Sequence, residues 1–248
     1  MRSISTNRSA AIAVGIAIAA AGGFFALRSK EGASPRSDAV ASSAASAAPF
    51  ASAAPSASAA PSPLDFAYLQ SRRDPNEVLS IVRTLNQAAD AGDANAQIML
   101  GKVYFHGVRG VPADASRAYE WFTRAASNGD TKGGTATYYL GVMTQDGMGT
   151  TANHEQAARW LEKAANSGSP HAMFLLGNAY RAGNGVTKSP EKAVAWYQRA
   201  GELEYAPALQ ALAIAYMNGE LGLERDESEY RHYEMEAEHA LAHPPMTP

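Results

Sequence analysis

Apolar and polar positions change their rhythm twice along this chain. From Ser9 to Leu27 there is no period at all, only an uncharged run of mostly Ala, Ile, Val and Phe, with Arg2 and Arg8 before it and Arg28 and Lys30 after it. As a helix, Ala10 to Leu27 would extend about 27 Å, close to the thickness of a hydrocarbon core. The run therefore predicts a transmembrane helix in residues 1–30, a signal anchor embedded in the inner (cytoplasmic) membrane through residues 9–27. A short basic terminus ahead of a first apolar segment stays inside, which places the rest of the chain on the periplasmic side. The small residues Ala19 to Gly22 also suit a cleavage site, so release by signal-peptide cleavage and secretion is the alternative.

Residues 31–63 lose the apolar character without gaining a period. They hold 13 Ala, 9 Ser and 5 Pro among 33 positions. Pro49, Pro55, Pro61 and Pro63 interrupt any helix the alanines would start, and Val40 and Phe50 are too few to seed a core. This is a disordered linker with an r.m.s. reach of roughly 30–35 Å.

From residue 64 onward a helical period sets in and repeats. Ala96, Leu100 and Tyr104 fall at i, i+4 and i+8 on one stripe, with Gly101 beside it; Leu140–Gly141, Leu176–Gly177–Tyr180 and Leu212–Ala213–Tyr216 repeat the pattern. A glycine inside a helix costs about 1 kcal/mol, so Gly101 predicts a close approach by a neighbouring helix. Glycine pairs (Gly107 and Gly110, Gly147 and Gly149, Gly183 and Gly185) follow each stripe and predict a chain reversal. Asp114, Asn153 and Ser189 then precede second apolar-periodic stretches as N-caps, with Pro190 at a first helical position. Those stretches carry Trp121, Trp160, Trp196 and, in the last copy, Tyr233, each read as a bulky anchor beside paired small residues such as Ala125–Ala126. Each copy is one helix pair, and stacked pairs bury a shared core.

The motif, Ala-x-Ala-(x3)-Leu-Gly-(x2)-Tyr-(x2)-Gly, then Lys-Ala-(x2)-Trp-Tyr-x-Lys-Ala-Ala, resembles the Sel1-like repeat, a relative of the tetratricopeptide repeat. The resemblance implies an all-α fold, an α-solenoid of antiparallel helix pairs. The expected organisation is a capping helix region at 64–92, repeats at 93–129, 130–168, 169–204 and 205–243, the last including a C-terminal cap, and a tail at 244–248. The second copy departs by Thr144 in place of the tyrosine and by three extra residues before Gly141, so the stretch around Thr131 to Gly134 should bulge. The fourth departs by Ala213 and Tyr233, as suits a terminal unit.

Composition narrows the functions. The absence of cysteine excludes a disulfide scaffold, a thiol nucleophile and a cysteine zinc site. The formal charge of −3 argues against nucleic acid as a partner, and it divides unevenly: residues 64–219 carry 14 acids and 14 bases, whereas residues 220–238 carry eight carboxylates and two arginines. No phosphate loop, metalloprotease motif or nucleophile elbow occurs, and the glycine pairs follow helices rather than strands. His232, Glu236, His239 and His243 share one helical face, but that acidic run reads as a solvated cap, so no metal, cofactor or catalytic residue is assigned. In tetratricopeptide-like solenoids the first helices line a concave groove, so the resemblance assigns a protein or peptide partner to a ladder away from the core stripe: Lys102 and Phe105, Tyr138 and Gln145, Phe174, Asn178 and Arg181, then Gln210 and Met217. Ile98, Val142 and Ile214 share those rungs; packing between adjacent first helices is the other role open to Ile98, Tyr138 and Phe174. The expected function is a membrane-anchored, non-enzymatic adaptor. The alternative implied by relatives of the family is a secreted or periplasmic protein with a cell-wall or β-lactam-related hydrolase activity.

Overall fold

Helix starts and stops follow the caps written in the sequence. The computed structural model describes residues 66–129 and 134–243. These form ten helices: α1 (Phe66–Ser71), α2 (Pro75–Asp90), α3 (Ala94–His106), α4 (Ala115–Ser127), α5 (Thr135–Asp146), α6 (His154–Asn166), α7 (Pro170–Ala182), α8 (Pro190–Gly201), α9 (Ala206–Asn218) and α10 (Glu227–Ala242). The side chains of Asp114, Asn153 and Ser189 accept hydrogen bonds from the amides of Arg117, Gln156 and Lys192, opening α4, α6 and α8. Gly147, Gly183 and Gly219 close α5, α7 and α9 in the left-handed conformation. Each pair then reverses on the same bond. The N-cap amide of the second helix donates to the carbonyl at the tyrosine position of the first: Asp114 to Tyr104, Asn153 to Thr144, Ser189 to Tyr180 and Asp226 to Tyr216, at 2.7–3.1 Å. Being made by backbone, this bond survives the Thr144 departure.

The pairs α3/α4, α5/α6, α7/α8 and α9/α10 stack so that each second helix packs on the next first helix, giving an all-α repeat solenoid. At the N-terminal end α2 covers α3 as an unpaired second helix, capped by Asp74 and burying Val78, Val82 and Leu85. The six-residue α1 lies beside α3, with Leu69 fully buried. No helix among the described residues is long and apolar enough to cross a membrane. The predicted anchor at 9–27, the linker at 31–63, the tail at 244–248 and residues 131–133 of the expected bulge lie outside the described residues.

The tryptophans are not the core anchors the motif suggested. Trp121, Trp160 and Trp196 are half-buried, and the residue after each is the one sealed inside: Phe122, Leu161 and Tyr197. Counted from the N-cap, the buried stripe runs through positions +4, +8 and +11 (Ala118, Phe122 and Ala125 in α4), whereas the tryptophan sits at +7. Its ring lies at the edge of the core under the basic residue one turn on: Arg124 at 4.7 Å, Lys163 at 5.4 Å and Arg199 at 4.5 Å from the ring centroids. The +8 residues account for the helix glycines. A Cβ on Gly101 would meet Phe122 at 2.5 Å, one on Gly141 would meet Leu161 at 2.7 Å, and one on Gly177 would meet Tyr197 at 2.6 Å. Repeat four tolerates Ala213 because its +8 residue, Glu234, points to solvent.

Candidate functional site: the first-helix face

The predicted ladder does not present one uniform surface. At its N-terminal end the positions turn inward: Ile98 is buried, and Lys102, Phe105, Tyr138, Val142, Gln145, Phe174 and Asn178 are half-buried. At its C-terminal end they open: Arg181, Gln210, Ile214 and Met217 are exposed.

The closed part is lined by half-buried rings that pass from one first helix to the next, with His106 and His171 at its exposed edge. Phe66 of α1 meets His106 at 5.2 Å, Phe105 meets Tyr139 at 5.1 Å, Tyr138 meets His171 at 5.8 Å, and His171 meets Tyr205 at 4.7 Å. Tyr139 also lies flat on Phe122, 4.6 Å away at 3°. Aromatic pairs at these separations add cohesion beyond their buried area. Burial sets their protonation as well. It raises the Tyr138 and Tyr205 phenols, carries Tyr139 up to about 12, and lowers the His171 imidazole. His106 is lowered by burial first and then by the Lys102 charge. The neutral forms are therefore favoured throughout, which suits packing and stacking rather than proton transfer.

The open part forms a cleft of about 260 Å3 between α7 and α9. It gathers four predicted residues, Phe174, Asn178, Arg181 and Gln210, and adds Ile214 and Leu221 as apolar wall. Tyr197 reaches this face from α8: its hydroxyl donates to Asn178 Oδ1 at 2.8 Å, fixing the amide. Burial raises the Tyr197 phenol, and the Arg181 charge opposes that shift. Met217 stands on the same helix beyond the cleft lining, and Lys102, Phe105, Tyr138 and Gln145 belong to the sealed rungs. Sequence reasoning missed His106 and Tyr139 as members of the ring chain because they fall one position off the chosen register. It missed His171 and Tyr205 because they lie at or before the first turn of their helices, three and five positions ahead of the first rung on each. It missed Tyr197 because that residue belongs to a second helix; Gly177, which lets its ring lie against α7, was the available signal.

On α10, His232 Nε2 and Glu236 Oε1 approach at 3.4 Å. Among the described residues no three His, Asp or Glu side chains converge to hold a metal ion.

Comparisons with known proteins agree with this architecture. The Sel1 repeat profile matches residues 94–130, 134–169, 170–205 and 206–229, more than half of the chain. A crystal structure of a Sel1 repeat protein from Oxalobacter formigenes superposes with a TM-score of 0.60 at 28% identity, covering 66% of this chain and 65% of that one. A protective antigen of uropathogenic Escherichia coli with the SLR fold superposes at 0.59 and 35% identity, covering 64% of this chain and 33% of the antigen. Among curated relatives, chitin synthase regulatory factor 3 of Schizosaccharomyces pombe is 35% identical over 37% of this chain and 10% of its own length. The ERAD-associated E3 ubiquitin-protein ligase component HRD3B of Arabidopsis thaliana is 30% identical over 46% and 17%, and the DAP3-binding cell death enhancer 1 of Rattus norvegicus is 33% identical over 41% and 19%. The chain spans less than a third of the length of these curated relatives. Their names are those of regulators and of partner-binding components.

Proposed function

The chain belongs to the Sel1 repeat family, and from that premise we propose that it is a non-enzymatic adaptor that docks a protein or peptide on its first-helix face, at the α7/α9 cleft. One observation carries the proposal: Phe174, Asn178, Arg181 and Gln210, chosen by register alone, line one open cleft. The cleft offers an apolar floor with amide and guanidinium groups at its rim, the composition with which grooves take up peptide segments. Docking of this kind requires no bond to be made or broken. The names of regulators and partner-binding components among the relatives favour the same class of activity.

The uncharged run from Ser9 to Leu27 supports placing this adaptor in the cytoplasmic membrane, with the Ala/Ser/Pro-rich tract as its tether. The solenoid would then work on the periplasmic side. Two experiments test the two halves. A photo-reactive phenylalanine at Ile214 should capture a partner in cells, whereas one at Leu79, exposed on α2, should not. Equal capture at both sites, or none at Ile214, would refute the cleft. Alkaline extraction of membranes should leave the full-length protein in the pellet; a shortened soluble product would establish secretion instead.

A further inference from the structure

The grooves between successive second helices carry a charge pattern that inverts at the last one. Two sequence positions recur at each groove: the residue two before the junction, and the residue one turn after the tryptophan position. They are Asp90 and Arg124, Ser127 and Lys163, Asn166 and Arg199, and finally Glu202 and Glu236. In the first groove the pair is joined. Arg124 Nη1 lies 3.7 Å from Asp90 Oδ1 while its guanidinium covers the Trp121 ring at 4.7 Å. In each of the first three grooves the second position is basic. In the last groove it is a carboxylate, Tyr233 replaces the tryptophan, and a cleft of about 770 Å3 stands open between α8, α9 and α10. Glu204 adds a third carboxylate, on a left-handed backbone (φ 55°) where the other three junctions use Gly92, Gly129 and Gly168. No Lys or Arg lines the cleft, though His232 and His239 do, and His232 Nε2 already lies 3.4 Å from Glu236 Oε1.

We propose that this terminal cleft binds an arginine side chain presented by a partner protein. The first groove supplies the template: a guanidinium that covers an aromatic ring and meets the acid across the groove. In the terminal cleft the ring is Tyr233, one face of which stacks on Tyr216 at 5.6 Å, and the acids are Glu202, Glu204 and Glu236. Leu209 and the exposed Met235 offer apolar surface to the arginine stem. Arginine is preferred to lysine because its planar fork bonds two carboxylates and stacks at once. The site shares no lining residue with the α7/α9 cleft and stands whether or not that reading holds.

The test is amide NMR of the full chain titrated with N-acetylarginine methylamide and, separately, with its uncharged citrulline analogue. The arginine compound should saturate in the millimolar range, with shifts centred on Gly201, Glu202, Glu204 and Tyr233, and the citrulline compound should give none. Glu236→Arg places in the groove the cation that the other repeats carry and should weaken binding at least tenfold. Glu202→Gln with Glu236→Gln should do the same without adding a group. The proposal fails if citrulline binds equally, if the shifts lie elsewhere, or if either variant, still melting cooperatively, binds like the parent. It also fails if calcium displaces the arginine compound at micromolar concentration, which marks a metal site, or if self-association of the chain already fills the cleft.

Discussion

The inner repeats and the last one are built from the same motif but fastened differently. In repeats two and three, a helix glycine receives a large +8 side chain, Gly141 under Leu161 and Gly177 under Tyr197. A turn glycine also presses on the preceding pair. A Cβ on Gly149 would run into the Ala115 carbonyl, and one on Gly185 into that of His154. Repeat four has neither fastening. Ala213 replaces the helix glycine, and a Cβ on Gly222, one residue further along its turn, would meet nothing within 4 Å. There the first-helix residues Gln210, Ile214 and Met217 come to the surface, and both open clefts draw on this repeat. Stacking against a following pair uses up a repeat's side chains; repeat four packs closely within its own pair but has no following pair among the described residues, and so has side chains left to offer a partner.

The contrast is broken most forcefully at the turn glycines. Gly185→Ala adds left-handed strain and a backbone clash, and should cost roughly 2–4 kcal/mol in chemical denaturation. Gly222→Ala adds the strain alone, about 1 kcal/mol. Equal losses would erase the distinction. In the helices the contrast lies in cause more than in size. Gly177→Ala overpacks against Tyr197 but gains helix propensity, for a net loss of roughly 1–2 kcal/mol; Ala213→Gly overpacks nothing but loses propensity and a buried methyl, about 1–2 kcal/mol. Repeat two also carries an imperfection. Thr144 is buried with an unpaired hydroxyl where the other copies place a tyrosine, so Thr144→Val should be neutral or raise stability by up to about 1 kcal/mol.

The smallest expected effect is on pH dependence. Burial holds the His106 and His171 imidazoles below their ordinary value, so the unfolded chain takes up their protons at higher pH than the folded one. Stability should therefore be full at neutral pH and decline as pH falls through about 6.5, levelling below the lowered folded values. Urea titrations across that window should show the slope reduced in His171→Phe, which keeps a ring against Tyr138 and Tyr205 but cannot titrate.

Much of this was legible in the sequence. The caps at Asp114, Asn153 and Ser189 were readable because a cap is a local contest between one side chain and the amides three residues on. Gly101 announced a close approach for a similar reason, since a mid-helix glycine is unfavourable without one. The tryptophans misled because they recur, whereas the residues that fill the core vary as Phe122, Leu161 and Tyr197; the constant signal was the small residues at +4 and +11 around them. Helix α1 was missed because six residues are too few to show a period. The opening of the α7/α9 cleft could not be read from repeat register, because register gives every rung the same exposure. What differs is tertiary: a ring chain that runs through Tyr205 to Phe174 and Tyr197 at the floor of the cleft and goes no further along α9, whose Gln210, Ile214 and Met217 stay exposed.

The released end of the solenoid is where a partner should dock, and one measurement tests that most directly. With the partner captured through Ile214, its affinity should be compared for the full chain carrying Arg181→Glu and for the chain carrying Lys102→Glu, the same charge reversal at an open and at a sealed rung. The expected result is at least a tenfold loss for Arg181→Glu and less than about a twofold change for Lys102→Glu. Equal losses, or a loss confined to Lys102→Glu, would contradict it.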